Sequence, residues 1–290
     1  MPDTRVMDLP DGRELAWLEI GKPRGFPIFM FHGTPGSRLQ VSFDPKAVTA
    51  AGVRFIAPDR PGYGHSSYHP DRTLSDWATD VAALADHLKI ERFAVAGVSG
   101  GGPHAAACAA LLPERVAVAG LVSGVGPMGE PELAGAMVGI NRGMTTLAVR
   151  APFALFPVFA VQDFALRRWP EKVLELASKQ MPEADAAVMA QADVVEAMVT
   201  ESRHAPATAA RAGAQDFVLF ARPWGFRLQD IAVPVHLWHG DADRNVLPSH
   251  ARFMAQRIPR AELHECPGEG HLLYHDHVEE ILRTLVSSAA

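Results

Sequence analysis

Gly97-Val98-Ser99-Gly100-Gly101 sets one serine among small residues, directly after an apolar run at 93–98 and before a helical run at 101–112. A hydroxyl carried on so tight a reversal is held out at its tip, and flanking residues without a Cβ let other segments come close. The helix that follows aims its first amides at negative charge developing there. This arrangement suits attack on an electrophilic carbon. A serine hydroxyl is a weak nucleophile alone, so a base is required. Among 13 histidines, His271 in Gly268-Glu269-Gly270-His271 lies between the last β-type run and the last helical run, which returns it to the edge expected for Ser99. His104, on the helix after Ser99, is expected to point away from the tip, and His32 to be structural. An imidazole needs a carboxylate to fix its tautomer and stabilise its charge. The loop His239–Pro248 offers two; Asp243, deeper in the loop, is the expected partner, and Asp241 braces the turn. The loop at 123–127 has no carboxylate, which removes the main alternative.

Two further loops complete the constellation. His32-Gly33-Thr34-Pro35-Gly36-Ser37 follows the apolar run at 27–31. The amides of Thr34 and Gly100 are expected to converge as an oxyanion hole. Such donors act by position, so Thr34→Ala is expected to do less harm than a change that moves the loop. The polar, Gly-rich turn Asp59–Ser66 is expected to brace the site. His271, His275 and His277 invite a metal reading, but no H-E-x-x-H motif accompanies them and the segment begins in a loop. No metal and no cofactor is expected.

The elements that must hold these residues alternate. Arg5–Leu9 and Glu14–Ile20 flank a Pro-Asp-Gly turn and read as a hairpin; β-type runs follow at 27–31, 53–57, 93–98 and 116–123. Helical runs lie between them, at 74–89 and 101–112. Near-continuous apolar strands separated by helices predict a mostly parallel sheet covered on both faces. The alternation stops after Ser123. Helical stretches, among them Glu183–Val199 and Ala205–Phe220, fill the chain until β-type runs return at 233–238 and 261–265. A helical cap is therefore expected at residues 125–226, inserted into an α/β core made of residues 1–124 and 227–290. Placed there, it covers the carboxyl edge of the sheet, where open α/β sheets bind ligands.

Composition adds exclusions. A formal charge of -6 over 290 residues gives no reason to expect nucleic acid or an anionic membrane as partner. Two cysteines, Cys108 and Cys266, make no disulfide framework. Residues 1–18 lack the basic-then-apolar layout of a signal peptide. The most apolar stretch, 147–161, is too short and too interrupted by Arg150, Pro152 and Pro157 to span a bilayer. A cytoplasmic protein without a membrane span is expected, its oligomeric state open.

His32–Ser37, Asp59–Ser66, Gly97–Gly101, His239–Pro248 and Gly268–His271, in this order, resemble the α/β-hydrolase superfamily in its serine-nucleophile branch. That resemblance implies an eight-stranded, mostly parallel sheet with a helical cap, and a catalytic triad of Ser99, Asp243 and His271. The His-Gly-x-Pro-Gly loop is similar to that of proline iminopeptidases, although Thr34 stands where that group carries glycine and Gly100 where it carries a bulky residue. Haloalkane dehalogenases and epoxide hydrolases are similar overall but use an aspartate where Ser99 stands. The expected activity is hydrolysis of a small or medium apolar ester, a serine carboxylesterase, with a small-molecule ester or amide as the partner. Its alternatives are a proline-iminopeptidase-like aminopeptidase, a C–C hydrolase, lyase or perhydrolase, and a hydrolase-like ligand sensor.

Overall fold

The computed structural model describes residues 3–40, 45–136 and 139–289. Its strands are β1 (Arg5–Asp8), β2 (Glu14–Gly21), β3 (Phe26–Phe31), β4 (Val53–Pro58), β5 (Phe93–Val98), β6 (Val116–Val122), β7 (Val235–Gly240) and β8 (Ala261–Cys266). They form one 8-stranded sheet in the order β1-β2-β4-β3-β5-β6-β7-β8. β2 is antiparallel to both its neighbours; every pairing from β4 to β8 is parallel. The helices are α1 (Pro45–Ala50), α2 (Leu74–His87), α3 (Gly102–Leu111), α4 (Pro131–Ala136), α5 (Gly139–Arg150), α6 (Leu155–Arg168), α7 (Pro170–Ser178), α8 (Glu183–Val188), α9 (Ala192–His204), α10 (Ala209–Ala221), α11 (Ser249–Ala255) and α12 (Tyr274–Ala289). α4 to α10 are inserted between β6 and β7. None of the described helices is long and apolar enough to cross a membrane.

The central strands β5 and β6 are buried along their whole length. Both faces of these two strands are covered, and neither strand carries a polar side chain. On one face Phe29, Phe31, Val95 and Leu121 pack with Trp77 and Val81 of α2, Ala105 of α3 and Met254 of α11. On the other, Ile28, Met30, Ala96 and Trp238 pack with Leu282 and Leu285 of α12. α2 begins at a capping box in which Asp76 N donates to Thr73 Oγ1 and Thr73 N donates to Asp76 Oδ2. Cys108 is buried in α3, Cys266 ends β8, and both are free.

Three expected boundaries move, and α1 is an element the sequence reading did not anticipate. β7 starts at Val235 rather than Val233, because Pro234 has no amide to donate and contributes only its carbonyl, to Ala119 N at 2.9 Å. The last helix of the insertion starts at Ala209 rather than Ala205, which precedes Pro206 and is extended (ψ 134). The expected helix Glu183–Val199 is two helices, α8 and α9. No Gly or Pro marks the break. α8 is drawn towards the sheet edge by Asp185, which accepts Leu272 N at 2.7 Å, while α9 packs against α6.

Candidate active site

Ser99 follows the last residue of β5 and has a left-handed backbone, φ 53. A non-glycine residue there is strained and is held by its surroundings. Those surroundings are tight: a Cβ on Gly97 would lie 2.2 Å from Gly101 O, and one on Gly101 2.3 Å from Phe31 O. Only glycine lets strand, helix and the β3 terminus approach so closely.

Asp243 and His271 meet in the loops after β7 and β8. His271 Nδ1 donates to Asp243 Oδ2 at 2.8 Å. Asp243 Oδ1 accepts the amides of Asn245 and Val246 at 2.8 and 2.9 Å, which locks the carboxylate in place. His239 Nε2 lies 3.3 Å from Oδ2. Burial opposes charge on Asp243, but His271 and His239 outweigh it and hold the carboxyl well below the usual carboxylate range. Burial likewise pushes His271 down; Asp243, with a smaller contribution from Asp185, reverses this and raises its pKa above the ordinary 6.5. Asp241 braces the turn as expected, its Oδ1 accepting Gly268 N at 2.7 Å.

The loop after β3 links this pair to the elbow. Gly33 N donates to Gln40 Oε1 at 2.6 Å, and a Cβ on Gly33 would lie 3.4 Å from Ser99 Cβ. Tyr274, three residues after His271, donates its hydroxyl to Gln40 O. Ser99 and Tyr274 thus flank one loop, and no hydrogen bond joins Ser99 to His271 directly. Thr34 and Gly100 are brought into contact: a Cβ on Gly100 would lie 2.3 Å from Thr34 Oγ1.

Beneath this loop lies a buried charge network that sequence reasoning missed. Asp216 of α10 is fully buried. Its Oδ2 accepts Thr34 Oγ1 at 2.7 Å, Arg60 Nη1 at 2.6 Å and the Tyr63 hydroxyl at 2.9 Å, and Oδ1 accepts Arg72 Nη2 at 2.5 Å. Burial alone would raise its pKa, but the two guanidiniums hold it far below the usual carboxylate range. Arg60 also donates to the carbonyls of His32 and Gly33 and to Thr34 Oγ1. The Asp59–Ser66 turn therefore braces the site, as expected, with an inserted helix as its counterpart. Asp59 does the same one layer out, accepting Arg38 Nη1 at 2.5 Å and His65 N at 2.9 Å. The Thr34 side chain is bonded twice, which the expectation of a mild Thr34→Ala effect did not include.

The other histidines near the site have structural partners. His32 Nε2 accepts Arg60 N, and His104 Nδ1 lies 2.9 Å from Gly100 O beneath the elbow. Burial, then the Arg60 charge, keeps both well below ordinary imidazole pKa values. His250 Nδ1 accepts Gly126 N at 3.0 Å, and burial pushes its pKa down to about 4. Above Ser99 opens a pocket of about 90 Å³ with apolar walls from Val125, Met128, Phe217, Phe220, Val246 and Leu247; Arg244 also borders it. A second pocket of about 180 Å³ lies behind the β3 loop and contains Glu201 but not Ser99. Glu201 Oε1 is enclosed without a partner, and burial pushes the carboxyl pKa up to about 7. Glu196 is exposed.

Known proteins are similar to this chain. Over 116 residues, 40% of this chain and 31% of the relative, the sequence is 39% identical to the dihydrolipoyllysine-residue acetyltransferase component of the acetoin cleaving system of Pseudomonas putida. Over 117 residues, 38% of this chain and 30% of the relative, it is 33% identical to a proline iminopeptidase of Arabidopsis thaliana. The matches span about a third of the length of these curated relatives. An esterase of Exiguobacterium antarcticum superposes with a TM-score of 0.75 at 19% identity, covering 100% of this chain and 99% of that one; at that identity the likeness speaks for the fold. The sequence pattern of the alpha/beta hydrolase fold matches residues 27–278, which takes in every loop described above. This chain belongs to the α/β-hydrolase family.

Proposed function

We propose that the chain is a serine hydrolase that cleaves a small or medium apolar carboxylic ester through an acyl-enzyme. The observation that carries this reading is the Asp243–His271 pair, 2.8 Å apart, set at the same sheet edge as Ser99 and its apolar pocket. Ser99 Oγ attacks the ester carbon while His271 Nε2 takes its proton, and the amides of Thr34 and Gly100 receive the oxyanion. The tetrahedral adduct collapses, the bond to the alkoxide breaks, and His271 returns the proton to the leaving oxygen. Water then repeats the sequence on the acyl-serine and regenerates Ser99. The hydrogen bond between Ser99 and His271 forms as the site tightens around substrate, since such bonds are commonly long in unliganded sites. In the same reading residues 125–226 serve as a cap over a core of residues 1–124 and 227–290.

A pocket of about 90 Å³ walled by Val125, Met128, Phe217 and Phe220 suits a short acyl chain. Across p-nitrophenyl acetate, butyrate, octanoate and laurate, kcat/KM is expected to peak at the two short esters and fall at least ~10-fold by octanoate, about 1.4 kcal/mol. A rate that rises through laurate would sink the short-chain assignment.

An aminopeptidase is the second reading, and Glu201 favours it, because a substrate ammonium would restore its buried charge. Glu201 lies in the other pocket, however, and Arg244 at the mouth of the Ser99 pocket repels an ammonium. Ester turnover should exceed proline β-naphthylamide turnover; the reverse order would favour the peptidase.

The departures at positions 34 and 100 are coupled. Thr34 Oγ1 fills the space a side chain at 100 would take. Gly100→Ala is expected to displace the oxyanion loop and lower kcat ~100-fold. Adding Thr34→Gly should recover most of that loss. Multiplying losses in the double variant would show that the two positions do not share space.

A further inference from the structure

The parallel register of β7 and β8 sets His236 opposite Glu262 and Trp238 opposite His264, so all four residues face the same side of the sheet. His236 is the second residue of β7, whereas Asp243 lies beyond that strand's carboxyl end. The cluster therefore stands towards the amino end of the sheet, remote from Ser99. His236 Nδ1 is 3.1 Å from His264 Nε2 and 3.5 Å from Glu262 Oε2, and His264 Nε2 is 3.8 Å from Glu262 Oε1.

Those separations suit ligands around one ion. Four-coordinate zinc, with bonds of about 2.0–2.2 Å, holds neighbouring donor atoms about 3.3 Å apart. A plain hydrogen bond between the imidazoles explains the shortest distance but leaves the carboxylate, at 3.5 and 3.8 Å, outside bonding range. The surroundings orient the donors as well. His236 Nε2 lies 2.8 Å from Ser288 Oγ of α12; donating there leaves the Nδ1 lone pair facing the cluster. The His264 ring is stacked on Trp238 at 4.9 Å and 15°, and Trp238 Nε1 donates to Glu280 of α12. The Glu262 side chain is 66% exposed, so an ion can arrive from solvent and keep a water as fourth ligand.

We propose that His236, Glu262 and His264 form a binding site for a divalent transition-metal ion, zinc foremost, which fastens the edge strand β8 to β7 and, through Ser288, to α12. Two imidazoles and one carboxylate match the donor preference of zinc and exclude calcium or magnesium, which take oxygen ligands. The site is separate from the hydrolytic chemistry and does not depend on the ester reading.

The test uses the full chain, stripped with a chelator and titrated with zinc chloride against a chromophoric zinc indicator, with thermal unfolding measured in parallel. One zinc per chain is expected, with Tm raised about 5 °C at a hundredfold excess over Kd. His264→Gln and Glu262→Gln should each weaken binding at least ~10-fold, the least that loss of even an orienting partner of a ligand costs. Cobalt(II) in place of zinc should give the intense visible bands of a four-coordinate site, lost in both variants. Should His264→Gln fail to fold, Glu262→Gln decides, since its carboxylate is exposed. Zinc binding that neither variant weakens, or no binding at all, overturns the proposal.

Discussion

Ser99→Ala is expected to lower kcat/KM for p-nitrophenyl acetate by ~10⁵–10⁶-fold, about 7–8 kcal/mol of transition-state stabilisation. The fold should survive. Position 99 holds its left-handed φ of 53 through the packing of Gly97 and Gly101, and alanine carries the same backbone strain there as serine. Unchanged melting with lost turnover thus separates chemistry from folding. In the parent protein, mass measurement during turnover of a slow ester should detect the acyl adduct on Ser99, absent from the variant. Full activity in Ser99→Ala would rule out the covalent route. Asp243→Asn should cost ~10⁴-fold, because an amide NH₂ facing His271 Nδ1 favours the wrong tautomer. The pH profile adds a sign. His271 must be neutral to accept the proton, and Asp243 raises its pKa above 6.5. The acid limb of kcat/KM should therefore lie above pH 6.5 and move to lower pH in Asp243→Asn. A limb that stays in place would mean another group controls it.

The largest effect on stability is expected from Asp216→Ala. The change strands Arg60 and Arg72, both with buried side chains, without their shared carboxylate. Leaving buried charges uncompensated costs ~3–5 kcal/mol, which corresponds to a Tm lowered by about 10 °C. Activity should fall too, because Arg60 carries the carbonyls of His32 and Gly33 and the hydroxyl of Thr34. Displacing one oxyanion donor is worth ~10²–10³ in rate. Thr34→Ala removes two hydrogen bonds but no charge, so a loss of about 1–2 kcal/mol is expected, with Thr34→Ser restoring most of it. Calorimetry and steady-state rates on the three variants test this order; an Asp216→Ala protein as stable as the parent would refute the role given to the network.

What the sequence displays is local. Ser99 could be singled out as the candidate nucleophile because its signature fits in five residues between a strand and a helix. The pairing of His271 with Asp243 was legible because both lie in loops after strands, and parallel topology collects such loops at one edge. Asp216 was not: it is a single carboxylate in an apolar helix, 182 residues from Thr34 and 144 from Arg72. No periodicity points to such partners. The break between α8 and α9 was hidden for the same reason, since tertiary docking and not a Gly or Pro produces it. Thr34 and Gly100 were each legible as departures from the peptidase pattern, but their common cause is one shared volume. His236, Glu262 and His264 escaped notice because only the β7–β8 register aligns them.

Among the described residues, two of the ties between the insertion and the core differ clearly in kind. At α10 a carboxylate sits between two guanidiniums in a dry interior; at α8 Asp185 accepts the Leu272 amide. If the helices part to let reactants through, the single hydrogen bond at α8 yields more readily than the buried charge network at α10. Withdrawal of Asp185 would also remove negative charge from beside His271 and lower its proton affinity. With Asp243 still in place, the open doorway would hold a weaker base than the closed one.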